Sequence, residues 1–270
     1  MKWNESVEIE NIGPAKAVKY MSMNHRNRSL SERDITKYAR EMSAGNWFMN
    51  GETIIFDEDG NLINGQHRLS AIIRSGVTIR VVVVRGVKKA AFATMDQGKR
   101  RSASDVLSSM GEANYSQLAA LAKAIRHYMA GAMKAYTLSP TAHEVIEALE
   151  KHPQLRDWSS RAQELGRIMA FGKLLATAIY CIWLDDEEEA MRIHHAMLRG
   201  SGLDEGNPLL ALRNNLIATK NASVRMRDEH AVLMIAQCLK NFREGKRQSR
   251  VASPHGTDIP KFAKIVGTGV

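Results

Sequence analysis

Hydrophobic and polar residues alternate with two different periods in the two parts of the chain. In the first hundred residues, alternating or β-branched segments predict strands at 7–12, 52–56, 62–63 and 78–84. Between them, apolar residues at helical spacing and a serine cap predict a helix from Ser31 to Gly45, and shorter helices follow Pro14 and His67. This mixture predicts a small α+β domain over residues 1–110.

Beyond residue 110 the strand patterns disappear and a helical period continues. It predicts helices at 114–136, 141–151, 158–184, 186–199, 208–219 and 228–244. Residues 111–245 are therefore expected to form an all-α domain. The last residues, 246–270, are polar and basic, and they predict a flexible tail.

The longest apolar stretch indicates a buried helix rather than a membrane span. It runs from 168 to 184 and is interrupted by Gly172 and Lys173, whereas a membrane span needs about 20 apolar residues. The first twenty residues contain no apolar region of signal-peptide length. We therefore expect no membrane partner and a cytoplasmic location.

Cysteine use supports the same compartment. Cys181 and Cys238 are the only cysteines, and they form no CxxC pair. This excludes a disulfide framework and a cysteine zinc site.

Positive charge is concentrated in one segment. The chain carries a formal net charge of +9. Nine basic residues and the single acid Asp96 occur between 61 and 101, whereas 41–60 contains five acids and no base. Such a distribution favours a nucleic-acid partner bound through phosphates. A solvated charged face is the alternative.

The turn formed by Asn64, Gly65, Gln66, His67 and Arg68 is the central candidate site. Here a predicted strand ends in a glycine turn that leads directly into a helix, an arrangement that directs backbone N–H groups and the helix dipole at an anion. Gly65 allows close approach of a phosphate. Arg68 offers a fork of donors, and His67 can donate or transfer a proton. We expect the Arg68 guanidinium to contact the ligand rather than the core; the alternative is a plain structural turn.

Two further groups are candidates for catalysis or DNA contact. Glu52, Asp57 and Asp59 bracket the hairpin turn, where Asp57 and Asp59 could hold Mg²⁺ and Asp57 could act as a general base. A plain hairpin turn is the alternative. Asp96 is a further catalytic candidate that could face the same pocket. The neighbouring bases could contact a DNA backbone or simply lie on the surface: Lys99, Arg100 and Arg101.

The sequence NGQHRLSAI resembles the signature of the ParB/sulfiredoxin superfamily, written GxRR or GERR in partition proteins and DGxHR in other members. The similarity extends over about residues 7–110. It includes Asn27-Arg28 before a capped helix, the Gly45-Asn46-Trp47 end of that helix, the IIFDEDGNLINGQHR hairpin and the VVVV strand. These features are similar to the branch encoded by phages and plasmids. We recognise no characterised domain in residues 111–270.

The resemblance implies a ParB/sulfiredoxin-like fold that acts on nucleotides or DNA. Members of the superfamily include CTP-hydrolysing partition proteins, a free-serine kinase, plasmid proteins with ATPase and DNase activity, and sulfiredoxins. By position, Gly65, Gln66, His67 and Arg68 match the phosphate-binding turn, and Arg28 matches an arginine that approaches it. The expected ligands are an NTP, either ATP or CTP, and Mg²⁺. The expected partners are DNA and a second copy in a homodimer, in a bacterial or phage-infected cell.

Two departures narrow these implications. Sulfiredoxins need a reactive cysteine where this chain has Gln66, so sulfiredoxin chemistry is excluded. The motif that closes the CTP-dependent clamp of partition proteins is not recognisable in 95–102. Three functions stay open: a DNA-associated NTP hydrolase or kinase acting at the Asn64–Arg68 turn, a DNA nuclease with a metal held by Asp57, Asp59 and Asp96, and a non-catalytic DNA-binding regulator.

Overall fold

The computed structural model describes residues 3–25, 27, 29–88, 91, 101–131, 140–222, 226–252 and 256–268. The chain divides into two compact units, residues 1–100 and 101–270. We refer to them as the N-terminal unit and the helical unit, and describe each by itself.

The N-terminal unit combines a four-stranded sheet with three helices, as the α+β pattern predicts. Its elements are β1 (Ser6–Ile12), α1 (Pro14–Met21), α2 (Glu32–Ser43), β2 (Thr53–Asp57), β3 (Leu62–Asn64), α3 (Gln66–Ser75) and β4 (Ile79–Val87). The Ser31 side chain caps α2 by accepting from the Asp34 backbone N–H. Pro14 occupies the first turn of α1. A backbone N–H at this position would have no intrahelical acceptor, so the N–H that proline lacks costs the helix no hydrogen bond.

Strand β4 is central to the sheet, whose order is β1-β4-β2-β3. It pairs antiparallel with β1 and parallel with β2, while β2 and β3 form an antiparallel hairpin. A parallel pair needs a crossover connection, and α3 lies within it. Consequently the turn from β3 into α3 occurs at the start of this crossover.

The core of this unit lies on one face of the sheet, because residues alternate between the two faces along each strand. Ile54 and Phe56 of β2 and Val83 of β4 are fully buried, and they pack with apolar residues of the three helices. Tyr20 of α1 contacts Phe56 edge to face, with ring centroids 4.9 Å apart. Burial of this face holds the turn after β3 in a fixed place.

A buried cluster of polar side chains lies between β1, β4 and α1. The Glu10 carboxylate forms ion pairs with Arg85 and Lys16. The Tyr20 hydroxyl donates to Glu10 Oε2 at 2.7 Å and accepts from Arg85 Nη2 at 2.8 Å. Glu10 is 9% exposed, so its charge depends on these partners for compensation.

The helical unit contains eight helices among the residues that the structure describes. They are α4 (Ala103–Ser109), α5 (Tyr115–Ala130), α6 (Ala142–Lys151), α7 (Leu155–Ile168), α8 (Gly172–Trp183), α9 (Glu187–Arg199), α10 (Pro208–Asn221) and α11 (Asp228–Arg243). Helix α8 is buried along almost its whole length, as the apolar stretch predicts. Helix α4, which the sequence analysis assigned to the first domain, lies within this unit.

The single helix predicted over 158–184 is two helices, α7 and α8. The break occurs at 169–171, where Phe171 has a left-handed backbone (φ 56°) and the Ala170 N–H donates to the Leu216 carbonyl of α10. At Gly172 the helices approach so closely that a Cβ would lie 2.4 Å from the Gly166 nitrogen. The glycine that interrupts the apolar stretch therefore permits the turn between two helices.

The C-terminal segment differs from the flexible tail that the sequence predicts. Ile259, Phe262 and Val266 are buried in the core of the helical unit. The Gly131 carbonyl accepts a hydrogen bond from the Ile259 N–H at 2.7 Å. A few apolar residues are sufficient to hold this segment against the helical unit. They were missed because the segment is polar on average.

In the part of the chain that the structure describes, no helix is both long and apolar enough to cross a membrane.

Candidate functional site at the β3–α3 turn

Gly65 shapes the candidate turn, where it is the N-cap residue of α3. Its backbone has φ 106° and ψ 1°, a region that residues with a side chain rarely adopt. A Cβ at this position would also lie 3.2 Å from the Ile54 Cα of the neighbouring strand. Glycine is therefore required here both by conformation and by space.

The N-terminus of α3 has no acidic residue of its own. No side chain in the described ranges caps it, and no acidic residue lies in its first turn. The intrahelical hydrogen bonds begin with the Leu69 N–H, which donates to the Gly65 carbonyl at 3.0 Å. The first turn therefore contains no acid of its own that would oppose the attraction of an anion to the helix dipole, and its residues Gln66, His67 and Arg68 are buried.

The segment between α1 and α2 reaches the first residues of α3. Asn24 Nδ2 donates to Gln66 Oε1 at 3.0 Å, and the Ser31 backbone N–H donates to His67 Nε2 at 2.9 Å. Asn27 Nδ2 donates to the Leu62 carbonyl at 2.7 Å. Asn24 and Ser31 were not connected with the turn in the sequence analysis. The one indication that their segment lies near the turn was Asn27-Arg28, which forms part of the same family resemblance.

His67 is buried and acts as a hydrogen-bond acceptor. Because its Nε2 accepts from Ser31, the ring proton of the neutral imidazole lies on Nδ1. Its Nε2 therefore cannot donate to a phosphate while this bond is present, which restricts the expected role in proton transfer to Nδ1.

Arg68 is buried against the adjacent strand, and the expectation that its guanidinium contacts a ligand stays a prediction. The residue is 9% exposed. Its Nη1 pairs with Glu52 Oε2 at 2.7 Å, and its Nη2 donates to the Thr53 carbonyl at 2.5 Å and to Asn64 Oδ1 at 3.3 Å. Position 68 is in the first turn of α3, on the side that faces β2. The guanidinium therefore joins the turn to the adjacent strand.

Asp57 stabilises the hairpin turn. It is buried, and its Oδ1 accepts from the backbone N–H groups of Asp59 and Asn61 at 2.9 and 2.8 Å. Asn61 Nδ2 also donates to this carboxylate. These bonds are those of a plain hairpin turn. Among the described residues, no group of three histidine, cysteine or acidic side chains could hold a metal ion. Asp96, the third acid of the nuclease hypothesis, lies outside the described residues, and a metal at Asp57 and Asp59 stays a prediction.

Four of the predicted site residues, Arg28, Asp96, Lys99 and Arg100, lie outside the described residues. Arg101 is exposed and precedes Ser102, which caps α4.

Acidic residues from other segments pair with three of the nine basic residues between 61 and 101. Arg68 pairs with Glu52, Arg74 with Glu32, and Arg85 with Glu8 and Glu10. Arg80 and Lys88 are exposed at the surface. The local excess of positive charge is therefore smaller than the linear count indicates.

Both cysteines are buried and unpaired. Burial raises the pKa of the Cys181 thiol, and it raises the pKa of Cys238 to about 11. Thiols of this kind are poor nucleophiles at neutral pH. This agrees with the exclusion of sulfiredoxin chemistry.

No protein-family model, curated protein or solved structure matches this chain.

Proposed function

We propose that the chain is a DNA-associated protein of the ParB-like type that binds the phosphates of a nucleotide at the Asn64–Arg68 turn. One observation carries the proposal: Gly65 leads a strand directly into α3, whose N-terminus has no acidic residue in its first turn. The resemblance of NGQHRLSAI to the superfamily signature and the net charge of +9 support the same reading.

The contacts of the candidate catalytic residues favour binding over catalysis at this turn. Two backbone N–H groups and the Asn61 side chain donate to the Asp57 carboxylate, and His67 Nε2 accepts from Ser31. A general base needs a free acceptor within reach of its substrate. The non-catalytic regulator is therefore the second candidate, ahead of the nuclease. Incubation with each NTP and with DNA, with and without Mg²⁺, distinguishes these functions by product formation.

Replacing Gln66 with glutamate tests the turn directly. Glutamate keeps an oxygen for the Asn24 hydrogen bond, and its favourable position at a helix N-terminus offsets part of the cost of placing a charge at a residue that is 5% exposed. The same charge repels a phosphate, and affinity for ATP or CTP should fall at least about tenfold, or 1.4 kcal/mol. Calorimetric titration measures the affinity, and thermal melts report the fold.

Gln154→Glu is the matched control, because Gln154 is the N-cap residue of α7 in the other unit. It makes the same chemical change at a helix start and should leave nucleotide affinity unchanged. Equal affinity of the Gln66→Glu protein and the wild type would exclude the turn as the site.

Binding of duplex DNA should weaken as the salt concentration rises. Each phosphate contact contributes about −0.9 to the slope of log affinity against log salt. Because several arginines of the basic segment already pair with acids, we expect a modest slope of roughly −3. Fluorescence anisotropy with labelled duplexes at several salt concentrations measures the slope. A flat dependence would remove phosphate contacts from the mechanism, and Lys88→Ala should reduce the slope by about one contact.

A further inference from the structure

The helical unit contains a cleft that the turn and its function do not involve. It has a volume of about 700 Å³ and lies between α5, α7 and α8, with the end of α10 and the start of α11 at its edge. Sites for small organic ligands usually have volumes of about 300 to 1,000 Å³. The cleft is therefore large enough for a ligand of nucleotide size.

The floor of the cleft is apolar. Ala124 of α5, Ala162 of α7 and Met169 are buried residues that line it, and Phe171 adds an aromatic side chain that is only half-buried. The close approach of Gly166 and Gly172 brings the end of α7 and the start of α8 together at this wall. Such a surface suits the flat apolar part of a ligand.

The rim of the cleft is basic. Lys123, Arg167, Lys173 and Lys220 line it, together with the single acid Asp228. These cations come from four different helical segments, and the fold therefore gathers them at one place. The Lys220 ammonium donates to the carbonyls of Gly166 and Arg167 at the end of α7, which fixes its charge beside the cleft. An excess of three positive charges favours a polyanionic ligand.

The start of α8 adds to this positive potential. Its first three residues, Gly172, Lys173 and Leu174, line the cleft, and its first turn contains no acid. The first backbone N–H groups of a helix have no intrahelical acceptor, and they attract anions together with the helix dipole.

We infer that this cleft binds an organic phosphate of nucleotide size, with the phosphates at the basic rim and the apolar part on the floor. The cleft lies entirely within residues 117–228, and the inference does not depend on the Asn64–Arg68 turn. A nucleotide is preferred over a DNA backbone because a backbone contact needs cations but no apolar floor.

The test is a titration of the full chain with ATP and CTP, with inorganic pyrophosphate and adenosine as the two halves of the ligand. The variant Arg167→Gln/Lys173→Glu removes charge from the rim, and we expect the dissociation constant for the better nucleotide to rise at least about tenfold. Ala120→Trp fills the cleft without changing its charge and should have a similar effect. Thermal melts confirm that each variant is folded.

The control is Arg192→Glu/Lys261→Gln, which makes the same change in charge at exposed positions of the same unit outside the cleft. It should leave the dissociation constant within about twofold of the wild type. An equal loss in this control would overturn the inference, because the effect would then be one of net charge. The inference would also be overturned if pyrophosphate bound as tightly as ATP, or if the wild-type protein bound neither nucleotide at millimolar concentration.

Parallel titration of Gln66→Glu separates the two sites. If nucleotide binding survives in Gln66→Glu and is lost in the cleft variants, the cleft is the nucleotide site and the proposed function of the turn fails. If binding is lost in Gln66→Glu alone, the turn is the site and the cleft inference is wrong. Two sites per chain, one removed by each variant, would support both. Loss of duplex DNA binding in the cleft variants, without nucleotide binding by the wild type, would assign the cleft to DNA and overturn the inference.

Discussion

Replacing Glu10 with glutamine is expected to lower the free energy of unfolding of the N-terminal unit by roughly 3 kcal/mol. The substitution removes the buried carboxylate that pairs most closely with the partly buried Arg85 guanidinium. Breaking a buried ion pair commonly costs about 3 to 5 kcal/mol. We expect the lower end, because the Arg85 side chain is 17% exposed and also contacts Glu8.

Hydrogen exchange measured on peptides from β1 and β4 reports this unit separately from the helical unit. Glu8→Gln is the control: Glu8 lies 3.5 Å from the same guanidinium, but its side chain is 59% exposed. Its removal should cost less than about 1 kcal/mol. Equal exchange in the Glu10→Gln protein and the wild type would mean that the cluster contributes nothing to stability.

The Glu10 effect should also depend on pH. Burial alone would raise the pKa of Glu10, but hydrogen bonds from Lys16 and Arg85 outweigh it and hold the pKa below its usual value of 4.5. A carboxylate with a lowered pKa contributes stability above its unfolded pKa and loses it as pH falls through the folded pKa. The difference in stability between wild type and Glu10→Gln should therefore be full at neutral pH and shrink below pH 4.5.

Replacing Arg68 with alanine should destabilise the N-terminal unit by about 2 kcal/mol, because hydrogen bonds of a charged group contribute roughly 1.5 to 3 kcal/mol. The substitution leaves the partly buried Thr53 carbonyl and the Asn64 side chain without their guanidinium donor. Lysine restores the charge but not the planar fork, so Arg68→Lys should recover only part of the loss. Chemical denaturation, monitored by hydrogen exchange of peptides from β2 and α3, measures this loss of stability.

Glu52→Gln provides the matched comparison for Arg68. The Glu52 side chain is 60% exposed, and its pair with Arg68 should contribute less than about 1 kcal/mol. A large effect of Arg68→Ala with a small effect of Glu52→Gln identifies the backbone contact as the important one. If Arg68→Ala instead keeps full stability and loses nucleotide affinity, the guanidinium serves the ligand and its assignment to the core is wrong.

Local patterns in the sequence predicted the elements of the N-terminal unit because each has a local cause. Ser31 caps α2, Pro14 opens α1 and Gly65 ends β3, and all three act within a few residues along the chain. The break between α7 and α8 could not be predicted in the same way. It depends on Leu216, which is 46 positions from Ala170 and accepts its N–H.

The environment of the candidate site was harder to predict than its backbone. The sequence indicates that Arg68 follows a glycine turn, but its contact with Glu52 joins positions 16 apart and depends on the register of β2 against α3. The same holds for Ser31 and His67, which are 36 positions apart. Side-chain contacts of this kind arise from the tertiary fold, and motif spacing alone cannot distinguish a ligand-binding arginine from a buried one.

The central position of β4 determines when the sheet can form during synthesis. β1 pairs only with β4, and β2 pairs with both β4 and β3, so the sheet cannot be completed until the ribosome has translated residue 87. Before that point the sheet consists of the short β2–β3 hairpin alone, and an isolated hairpin is at best marginally stable. The nascent chain therefore exposes the apolar residues of the unpaired strand β1 and of the marginal β2–β3 hairpin until β4 has been made. The N-terminal unit should consequently fold in one cooperative step, and chains truncated before residue 79 should remain unfolded.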